Sequence, residues 1–403
     1  MKKLIAFALA LVLFASAAAC AAPAAIPAAT QPPAAAATAP STPAASTPEA
    51  SAENGLTMET IKVGFVHIAD PSDGGYTYNH DLGTKKMQQN LGLRDDQIIN
   101  KFNIPEGSDT DAALRELIDA GCNIIFSTSF GHEPYVLAAA AENPDIEFCH
   151  ASGYQAAGSG LPNMHNYFGK IFEARYLAGI AAGLKTKTNK LGFVGAFPYA
   201  EDISGFTGFY LGAKSVNPDV TMQVMYTNSW NDPTREGQVA KALIDNGCDV
   251  IGQNPDSTAT QTTAEANGVW AVGYNSNMIQ AAPKASLTSA IWDWSVFLTM
   301  AVQAAVAGEP IPADFSGGLA EGVVNISKLN EAIIAEGTKE AIEEARAKLI
   351  SGELKIFVGP LQGVGEDYDG KPVEINLAAG EEFIEPQSAP SWNYIIPGIF
   401  ISK

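Results

Sequence analysis

The sequence predicts an α/β fold in which two Rossmann-like lobes, each built on a parallel β-sheet, face each other across a ligand cleft. From about Ile61 onward, short apolar runs alternate with helical patterns, as in successive βαβ units. The pattern restarts after Asn166, and one sheet would not hold all of these strands. A segment of the first half, residues 117–125, also recurs as residues 243–251, which favours two lobes related by duplication.

Residues 1–19 are predicted to be a signal peptide. Lys2 and Lys3 precede an apolar run from Leu4 to Phe14, which is shorter than the ~20 apolar residues that a membrane-spanning helix needs. The run ends in small residues and Cys20, and this AAAC sequence resembles the lipobox of bacterial lipoproteins. The resemblance implies a lipid on Cys20, whereas ordinary secretion is the alternative.

Residues 20–57 are predicted to be a linker. From Ala21 to Ala52, every residue except Ile26, Gln31 and Glu49 is Ala, Pro, Ser or Thr. Such a composition cannot bury a core, and its prolines keep the chain extended. We therefore expect a receptor body held on a stalk at the outer face of the cytoplasmic membrane, anchored through Cys20.

The charge balance excludes nucleic acid as a partner. The chain has 24 basic and 44 acidic residues, a net charge of −20, and loss of the signal peptide removes two of the lysines. Such an acidic surface repels phosphate backbones. The cysteines after Cys20 are odd in number and stand at Cys122, Cys149 and Cys248, without metal-site spacing. They are predicted to be buried small side chains, with no disulfide, metal or cofactor.

The alternation sets the expected lobe boundaries. The first lobe is predicted to comprise residues 58–165 plus about 279–320, and the second lobe residues 166–278 plus about 321–403. Strands and helices alternate clearly up to about residue 278. Beyond residue 310 only two runs, GGLAEGVVNIS and KIFVGPLQ, are predicted to be strands that return to the lobes.

The expected cleft follows from the strand ends. In open parallel sheets, ligands bind where the carboxyl ends of the strands meet the following loops. Two facing sheets would bring these loops together. The rule selects residues 69–81, 127–134, 152–154, 198–204, 228–232, 254–258, 275–278 and 292–294.

These loops are rich in aromatic and amide side chains. An aromatic side chain stacked on a nucleobase contributes ~1–3 kcal/mol, and amides and carboxylates can pair with the edges of the ring. Trp230 and Trp292 favour a binding role, whereas Phe130 and Tyr274 would also suit a core. Sugars stack on aromatic rings as well, so a receptor for a sugar or another small polar metabolite stays open.

No catalytic residues are predicted. The histidines are scattered, and no zinc-protease, serine-hydrolase or phosphate-loop motif is present. The cleft carboxylates could nevertheless form a hydrolytic pair, so a surface-tethered nucleoside or glycoside hydrolase is the alternative from a different class. The carboxylates in the selected loops are Asp70, Asp73, Asp81, Asp202, Asp256 and Asp293.

Motifs between about residues 61 and 300 occur in a recognisable order: GYTYNHD, YLAGIAA, TKTNKLGFVGAF, NSWNDP and GCDVI. In order and spacing they resemble the basic membrane protein family of ABC-transporter solute receptors. The resemblance implies a type I periplasmic-binding fold that binds a purine base or purine nucleoside. It also implies delivery to an ABC permease by a receptor that is a monomer and not an enzyme.

The resemblance also implies roles for single residues. By motif, the two aromatic side chains that sandwich the base in nucleoside-binding members fall on Tyr78 and Trp230, and the asparagine that faces the ligand falls on Asn79. Asn275 stands where those members carry an aspartate for the ribose hydroxyls. Trp292 stands in place of a lysine.

These departures favour a free base over a nucleoside. Ser152 likewise replaces an aspartate, and the motifs GYTYNHD, TSFG, NSW and IWDW resemble a branch of the family associated with adenine. We therefore expect a purine base, adenine first. The predicted ligand-binding residues are Tyr76, Tyr78, Asn79, Phe130, Ser152, Trp230, Asp256, Asn275, Trp292 and Asp293.

Overall fold

The computed structural model describes residues 55–366 and 371–402. The predicted signal peptide, Cys20 and most of the linker lie outside these residues. The strands, in chain order, are β1 (Val63–Val66), β2 (Ile98–Lys101), β3 (Ile124–Ser127), β4 (Glu147–Ala151), β5 (Met164–Gly169), β6 (Lys190–Gly195), β7 (Thr221–Tyr226), β8 (Val250–Gln253), β9 (Trp270–Asn275), β10 (Ser286–Trp292), β11 (Asp314–Gly317), β12 (Val324–Ile326), β13 (Leu361–Glu366), β14 (Pro372–Leu377), β15 (Tyr394–Ile395) and β16 (Ile399–Ser402).

Helices fill most connections between these strands. They are α1 (Tyr76–Leu91), α2 (Ser108–Asp119), α3 (Glu133–Glu142), α4 (Ala156–Ser159), α5 (Ile171–Lys185), α6 (Ala200–Val216), α7 (Pro233–Asp245), α8 (Ala259–Ala266), α9 (Ser295–Ala307) and α10 (Thr338–Ser351). Within the two described stretches, none of the helices combines the length and apolar character needed to span a membrane.

The first lobe is built on a parallel sheet with the strand order β11-β5-β4-β3-β1-β2. All four residues of β3 are buried. Because successive side chains of a strand point to opposite sides, both faces of this strand are covered. Phe126 packs in the cluster that contains Met87 of α1 and Phe297 of α9. Ile125 packs in the cluster formed with α2 and α3. Helices therefore cover both faces of this sheet.

The second lobe has the strand order β12-β10-β9-β8-β6-β7-β16. All neighbouring strands are parallel except β10 and β12, which are antiparallel. In β6, Phe193 belongs to the main core cluster, and Val194 packs with Val239 and Leu243 of α7. The predicted fold of two lobes with parallel sheets is confirmed.

The crossings between the lobes lie later in the chain than expected. Strand β5 still belongs to the first sheet, so the chain crosses after Gly169 rather than near Asn166. Strand β10 pairs with β9 in the second sheet, so the return follows Trp292 rather than Met278. The reason is that a short buried strand has the same apolar pattern in either sheet. Only the neighbouring strand with which it pairs shows to which sheet it belongs.

The C-terminal region adds structure that the sequence pattern did not predict. Strands β13, β14 and β15 form a small antiparallel sheet, and β16 extends the second sheet beside β7. Of the two runs predicted as strands, GGLAEGVVNIS contains β12, whereas KIFVGPLQ contributes only the start of β13. The three described cysteines are buried and unpaired, as predicted.

Candidate functional site

A cavity lies where the carboxyl ends of strands from both sheets meet. It encloses about 390 Å³ of empty space, part of which is continuous with solvent. The side chains around it combine flat apolar faces with a few polar groups, as is usual in small-molecule sites. The lining residues are Ile68, Tyr76, Thr128, Ser129, Phe130, Ser152, Glu201, Trp230, Asn254, Asp256 and Tyr274.

Tyr76 begins α1 and contributes an aromatic face from the first lobe. Its hydroxyl donates to the Thr128 carbonyl oxygen at 2.6 Å, which ties the start of α1 to the end of β3. The carboxylate of Asp73 accepts hydrogen bonds from the backbone N–H groups of Gly75, Thr77 and Tyr78 at 2.8–3.0 Å. These N–H groups at the start of α1 are therefore already paired with Asp73.

Phe130 stands on a short 3₁₀ turn after β3 and is 42% exposed. Polar groups beneath the ring hold this turn. Glu106 accepts from the Ser129 hydroxyl at 2.6 Å and from the Gly131 N–H at 2.8 Å. One ring nitrogen of His150 lies 2.7 Å from the Ser129 carbonyl oxygen. The position of Phe130 is therefore set by the structure beneath it.

Three cleft loops begin with a residue in the left-handed backbone region. Ser152 follows β4 with φ 63°, Asn228 follows β7 with φ 53°, and Asn275 ends β9 with φ 65°. This conformation is uncommon for residues other than glycine, and it concentrates where a structure holds functional groups. Here it turns the chain sharply at the strand ends that surround the cavity.

Arg175 lies beneath the second-lobe wall of the cavity and is fully buried. Its guanidinium carbon lies 3.7 Å from the centre of the Tyr274 ring, a cation–π contact. It also donates to the Gln253 carbonyl oxygen at 2.5 Å and to Asn254 Oδ1 at 2.7 Å. Because arginine can only donate, the oxygen of Asn254 must face it, and the N–H groups of that amide remain for other partners.

A relay of hydrogen bonds orients Asp256. Trp292 donates from Nε1 to Asn275 Oδ1 at 3.1 Å, and Asn275 donates from Nδ2 to Asp256 Oδ1 at 2.9 Å. The Asp256 N–H also donates to the Trp230 carbonyl oxygen at 2.8 Å. Burial raises the pKa of Asp256 well above its usual value, and the carboxylates of Asp73 and Glu236 add to the shift.

Two adjacent carboxyl groups open α6. Asp202 accepts from the backbone N–H groups of Ala196 and Phe197 at 2.6 and 2.9 Å, and so it fixes the loop after β6. Glu201 lines the cavity instead. Burial raises the pKa of Glu201 to about 7; Arg175 opposes the shift and Glu106 adds to it. The cavity therefore contains a carboxyl group that is close to half-protonated at neutral pH.

Aromatic rings from both lobes meet at the edge of the cavity. The rings of Phe130 and Tyr199 lie 6.1 Å apart across the cleft, and Tyr199 lies 6.1 Å from Trp230. Trp230 also contacts Phe197, edge to face, at 4.8 Å. Trp230 is thus held by aromatic neighbours of its own lobe.

The structure brings five of the predicted residues together: Tyr76, Phe130, Ser152, Trp230 and Asp256 all line the cavity. Tyr78 does not, and its side chain is 38% exposed. Successive helical residues are turned by about 100°, so residues two apart point to nearly opposite sides. Since Tyr76 faces the cavity, Tyr78 faces away from it.

The remaining predicted residues lie behind the cavity or outside it. Asn275 and Trp292 act on Asp256 through the relay rather than from the wall. Asn79 is buried one turn along α1 from Tyr76 but is not part of the wall. Asp293 pairs with Lys86 at the surface and accepts a hydrogen bond from Ser295, because the turn after β10 leads back to the first lobe.

The prediction of single residues missed several lining residues. Glu201 and Asn254 lay in the selected loops but were not singled out, and Ile68 precedes its selected loop by one residue. An acidic residue in the first turn of a helix is usually explained by the helix dipole. The sequence does not separate Glu201, which lines the cavity, from its neighbour Asp202, which holds the loop after β6.

Most candidates for a hydrolytic carboxylate pair have structural partners. Asp70 and Asp73 accept hydrogen bonds from nearby backbone N–H groups, and Asp81 pairs with Lys85 at 2.6 Å. Of the six carboxylates considered from sequence, Asp256 is the one that reaches the wall of this cavity. Any pair there would have to combine it with Glu201.

Comparisons with known proteins agree with this architecture. The family model described as "Bmp: ABC transporter substrate-binding protein PnrA-like" matches residues 60–357. A purine-binding protein of Brucella abortus is 35% identical over 85% of this chain and 93% of its own length. A putative ABC transporter glucose-binding protein of Haloferax volcanii is 32% identical over 81% of this chain and 80% of its own.

A solved structure extends the likeness to the fold. An ABC transporter solute-binding protein from Aeropyrum pernix superposes with a TM-score of 0.63 at 20% identity, covering 77% of this chain and 95% of that chain. The likeness confirms the periplasmic-binding fold that the sequence motifs implied.

Proposed function

Because the chain belongs to the family of PnrA-like ABC transporter substrate-binding proteins, we propose that it captures a purine base, adenine first, and delivers it to the permease of an ABC importer. The observation that carries the proposal is the cavity itself. Trp230, Tyr76 and Phe130 provide flat faces, while Glu201, Asp256 and Asn254 provide hydrogen-bonding groups at the same wall. A planar ring with polar edges fits both sets of groups.

Two features favour a free base over a nucleoside. Asn275 is fully buried behind the cavity wall, where its amide is held by Trp292 and by Asp256, and so it is not placed to contact a ribose hydroxyl. The indole of Trp292 is 3% exposed and stacks on Trp294 at 4.4 Å. By motif, nucleoside-binding members of the family carry a lysine at this position, whereas here a buried indole lies behind the wall and supplies no charge to a ribose.

The experiment that tests the ligand is direct. Mass spectrometry of small molecules released from the denatured protein should detect a purine, and calorimetry should show tighter binding of adenine than of adenosine. A wild type that prefers adenosine would overturn the choice of a free base. Binding of neither ligand would overturn the purine proposal.

A sugar is the second candidate ligand, because the relative in Haloferax volcanii is described as glucose-binding and sugars also stack on aromatic rings. Glucose therefore belongs in the same calorimetric series. Saturable glucose binding together with no binding of adenine would replace the purine proposal by a sugar receptor.

A hydrolase would use the same cavity but would turn its ligand over. Glu201 and Asp256 both reach the wall, so incubation with adenosine and inosine should be followed for released base. We expect retention without turnover. Catalytic release of free base that is lost in Glu201→Gln and in Asp256→Asn would instead establish an enzyme.

We also propose that the protein is lipid-anchored through Cys20 on the outer face of the cytoplasmic membrane and acts as a monomer. The lipobox-like AAAC and the proline-rich linker support this placement. Cys20→Ala should move the protein from the membrane fraction to the released fraction. A variant that stays with the membrane would contradict the anchor.

A further inference from the structure

Among the side chains of the cavity wall, Glu201 and Tyr274 make no side-chain hydrogen bond within the described residues, and of these Glu201 carries the carboxyl group. Asp256 accepts from Asn275, Asn254 accepts from Arg175, and Ser129 donates to Glu106. Within the described part of the chain, by contrast, no group makes a hydrogen bond to the Glu201 carboxyl. This carboxyl lines the cavity, is partly exposed and is therefore available to pair with a ligand.

The surroundings of Glu201 disfavour a negative charge. The charged and titratable groups that act on it or feel its charge come from several elements: Glu106 before α2, Arg175 on α5, Asp202 on α6, Asp256 after β8, Tyr76 on α1 and Tyr274 on β9. Three of these are carboxyl groups. The one cation among them, Arg175, is already committed to Gln253 and Asn254.

We propose that Glu201 recognises the ligand as a neutral carboxylic acid, donating its O–H to a ring nitrogen and accepting an N–H from the neighbouring amino group. The proposal rests on the proposed function, since it takes a purine base as the ligand. A protonated carboxyl offers one donor and one acceptor side by side. Adenine offers the matching pair, an amino donor beside a ring-nitrogen acceptor.

Recognition by the neutral acid couples binding to a proton from solvent. Because the pKa of Glu201 in the free protein is about 7, half of the molecules must take up a proton on binding at that pH. Binding should therefore consume about half a proton at pH 7. The dissociation constant for adenine should rise about tenfold from pH 6 to pH 8, a range in which adenine itself does not titrate.

Glu201→Gln provides the matched variant, because the amide offers a donor and an acceptor without a titratable proton. Its affinity for adenine should stay within about threefold of the wild-type value at pH 6 and should not change with pH. Glu201→Ala should lose about tenfold or more at pH 6, since both hydrogen bonds disappear. Asp256→Asn removes the other cavity carboxyl and should keep the pH dependence.

The measurement is calorimetry of adenine binding in two buffers of different ionisation enthalpy, which counts the protons directly. Proton uptake by the wild type that is absent in Glu201→Gln supports the proposal. Wild-type binding without proton uptake, or uptake that persists in Glu201→Gln, overturns it while leaving the receptor function intact. A wild type that does not bind adenine at all overturns the proposed function instead, so the two failures are distinguishable.

Discussion

The two lobes supply different chemistry to the same cavity. The first lobe contributes the rings of Tyr76 and Phe130, with buried histidines behind them. The second lobe contributes carboxyl groups at Glu201 and Asp256, supported by the buried guanidinium of Arg175. Flat faces come from both lobes, since Trp230 and Tyr274 belong to the second, but the carboxyl groups of the wall come from the second lobe alone. We therefore expect the second lobe to make most of the hydrogen bonds that identify the ligand.

The difference extends to how the lobes respond to pH. Burial lowers the pKa of His67 to about 4 and of His132 to about 3, so the first lobe resists protonation. Burial raises the pKa of Glu201 and of Asp202, so the second lobe resists ionisation. Acidification should therefore destabilise the first lobe, where buried histidines must take up a charge. It should stabilise the second lobe, where buried carboxyl groups become neutral.

The largest expected effect tests whether a polar network holds the second lobe. Arg175→Met removes the donors to Asn254 and Gln253 and leaves the nearby carboxyl groups without a buried cation. We expect a loss of about 3–5 kcal/mol in the free energy of unfolding, measured in urea. Arg115→Met is the control, because Arg115 is exposed and pairs with Asp111 at 3.0 Å; its cost should stay within about 1 kcal/mol.

Equal unfolding free energies of the two arginine variants would contradict the claim that a polar network holds the second lobe. It would mean that the apolar contacts of Tyr274 and Phe193 around Arg175 hold the wall without the guanidinium. The fold would then depend on packing alike in both lobes.

The next prediction concerns acid. His67 is neutral in the folded protein down to about pH 4, while in the unfolded chain it takes up a proton below about pH 6.5. Stability from this residue is therefore present above pH 6.5 and is lost as the pH falls, by about 1.4 kcal/mol per pH unit and about 3 kcal/mol in all. His67→Phe keeps the stacking on Phe65 and Phe102 and should flatten this loss.

Unfolding free energies of both proteins between pH 7 and pH 4 provide the measurement. Glu201→Gln serves as the opposite control, because it removes a group that gains stability on acidification and should steepen the net loss. Identical slopes for the wild type and His67→Phe would contradict the assignment of acid sensitivity to the first lobe.

A third prediction separates two aromatic residues that the sequence motifs treated as a pair. Trp230→Ala removes a cavity face and should weaken adenine binding by about 1–3 kcal/mol, or roughly five- to 150-fold. Tyr78→Ala removes an exposed ring outside the cavity, and binding should change by no more than about 0.5 kcal/mol. Calorimetry of the two variants shows whether Tyr78 lies outside the binding site, as in the structure, or stacks on the base, as the motif implied. A large loss in Tyr78→Ala would restore the sandwich that the resemblance implied.

The case of Tyr78 shows how far the sequence could predict the site. The strand-end rule found the loops that carry nearly all lining residues, because parallel sheets place ligands there whatever the side chains. It could not tell which side chains of a loop face inward. That choice depends on the phase of α1 for Tyr76 and Tyr78, and on the relay from Trp292 for Asn275, neither of which is a local property.

The fold could be predicted from the sequence to about the same extent as the site. Alternating apolar runs identified the strands from β1 to β9 except β5, because buried parallel strands and their helices have strong local patterns. Strand β16 escaped prediction, since Ile399–Ser402 pairs with Thr221–Tyr226 far away in the chain. The antiparallel pair β13 and β14 is half-exposed, and its partners are fixed by packing rather than by propensity.

The smallest expected effect concerns the contact between the lobes. A Cβ atom on Gly75 would lie 1.8 Å from the carbonyl oxygen of Asp256, which belongs to the other lobe. Ser276 also donates to the Gly74 carbonyl oxygen at 2.5 Å across this contact. Gly75→Ala should therefore hold the lobes apart and weaken adenine binding by about tenfold, or about 1.4 kcal/mol.

Gly74→Ala is the matched control for this last prediction. Gly74 has φ +67°, so a side chain there strains the backbone, but its Cβ would meet only Thr258 at an ordinary 3.6 Å. That variant should lose stability without losing closure, because the clearance between the lobes is kept. Solution scattering with saturating adenine measures closure as a smaller radius of gyration, expected for the wild type and Gly74→Ala and reduced or absent for Gly75→Ala. Full compaction of Gly75→Ala would mean that the lobes bind the ligand without the close approach at Asp256.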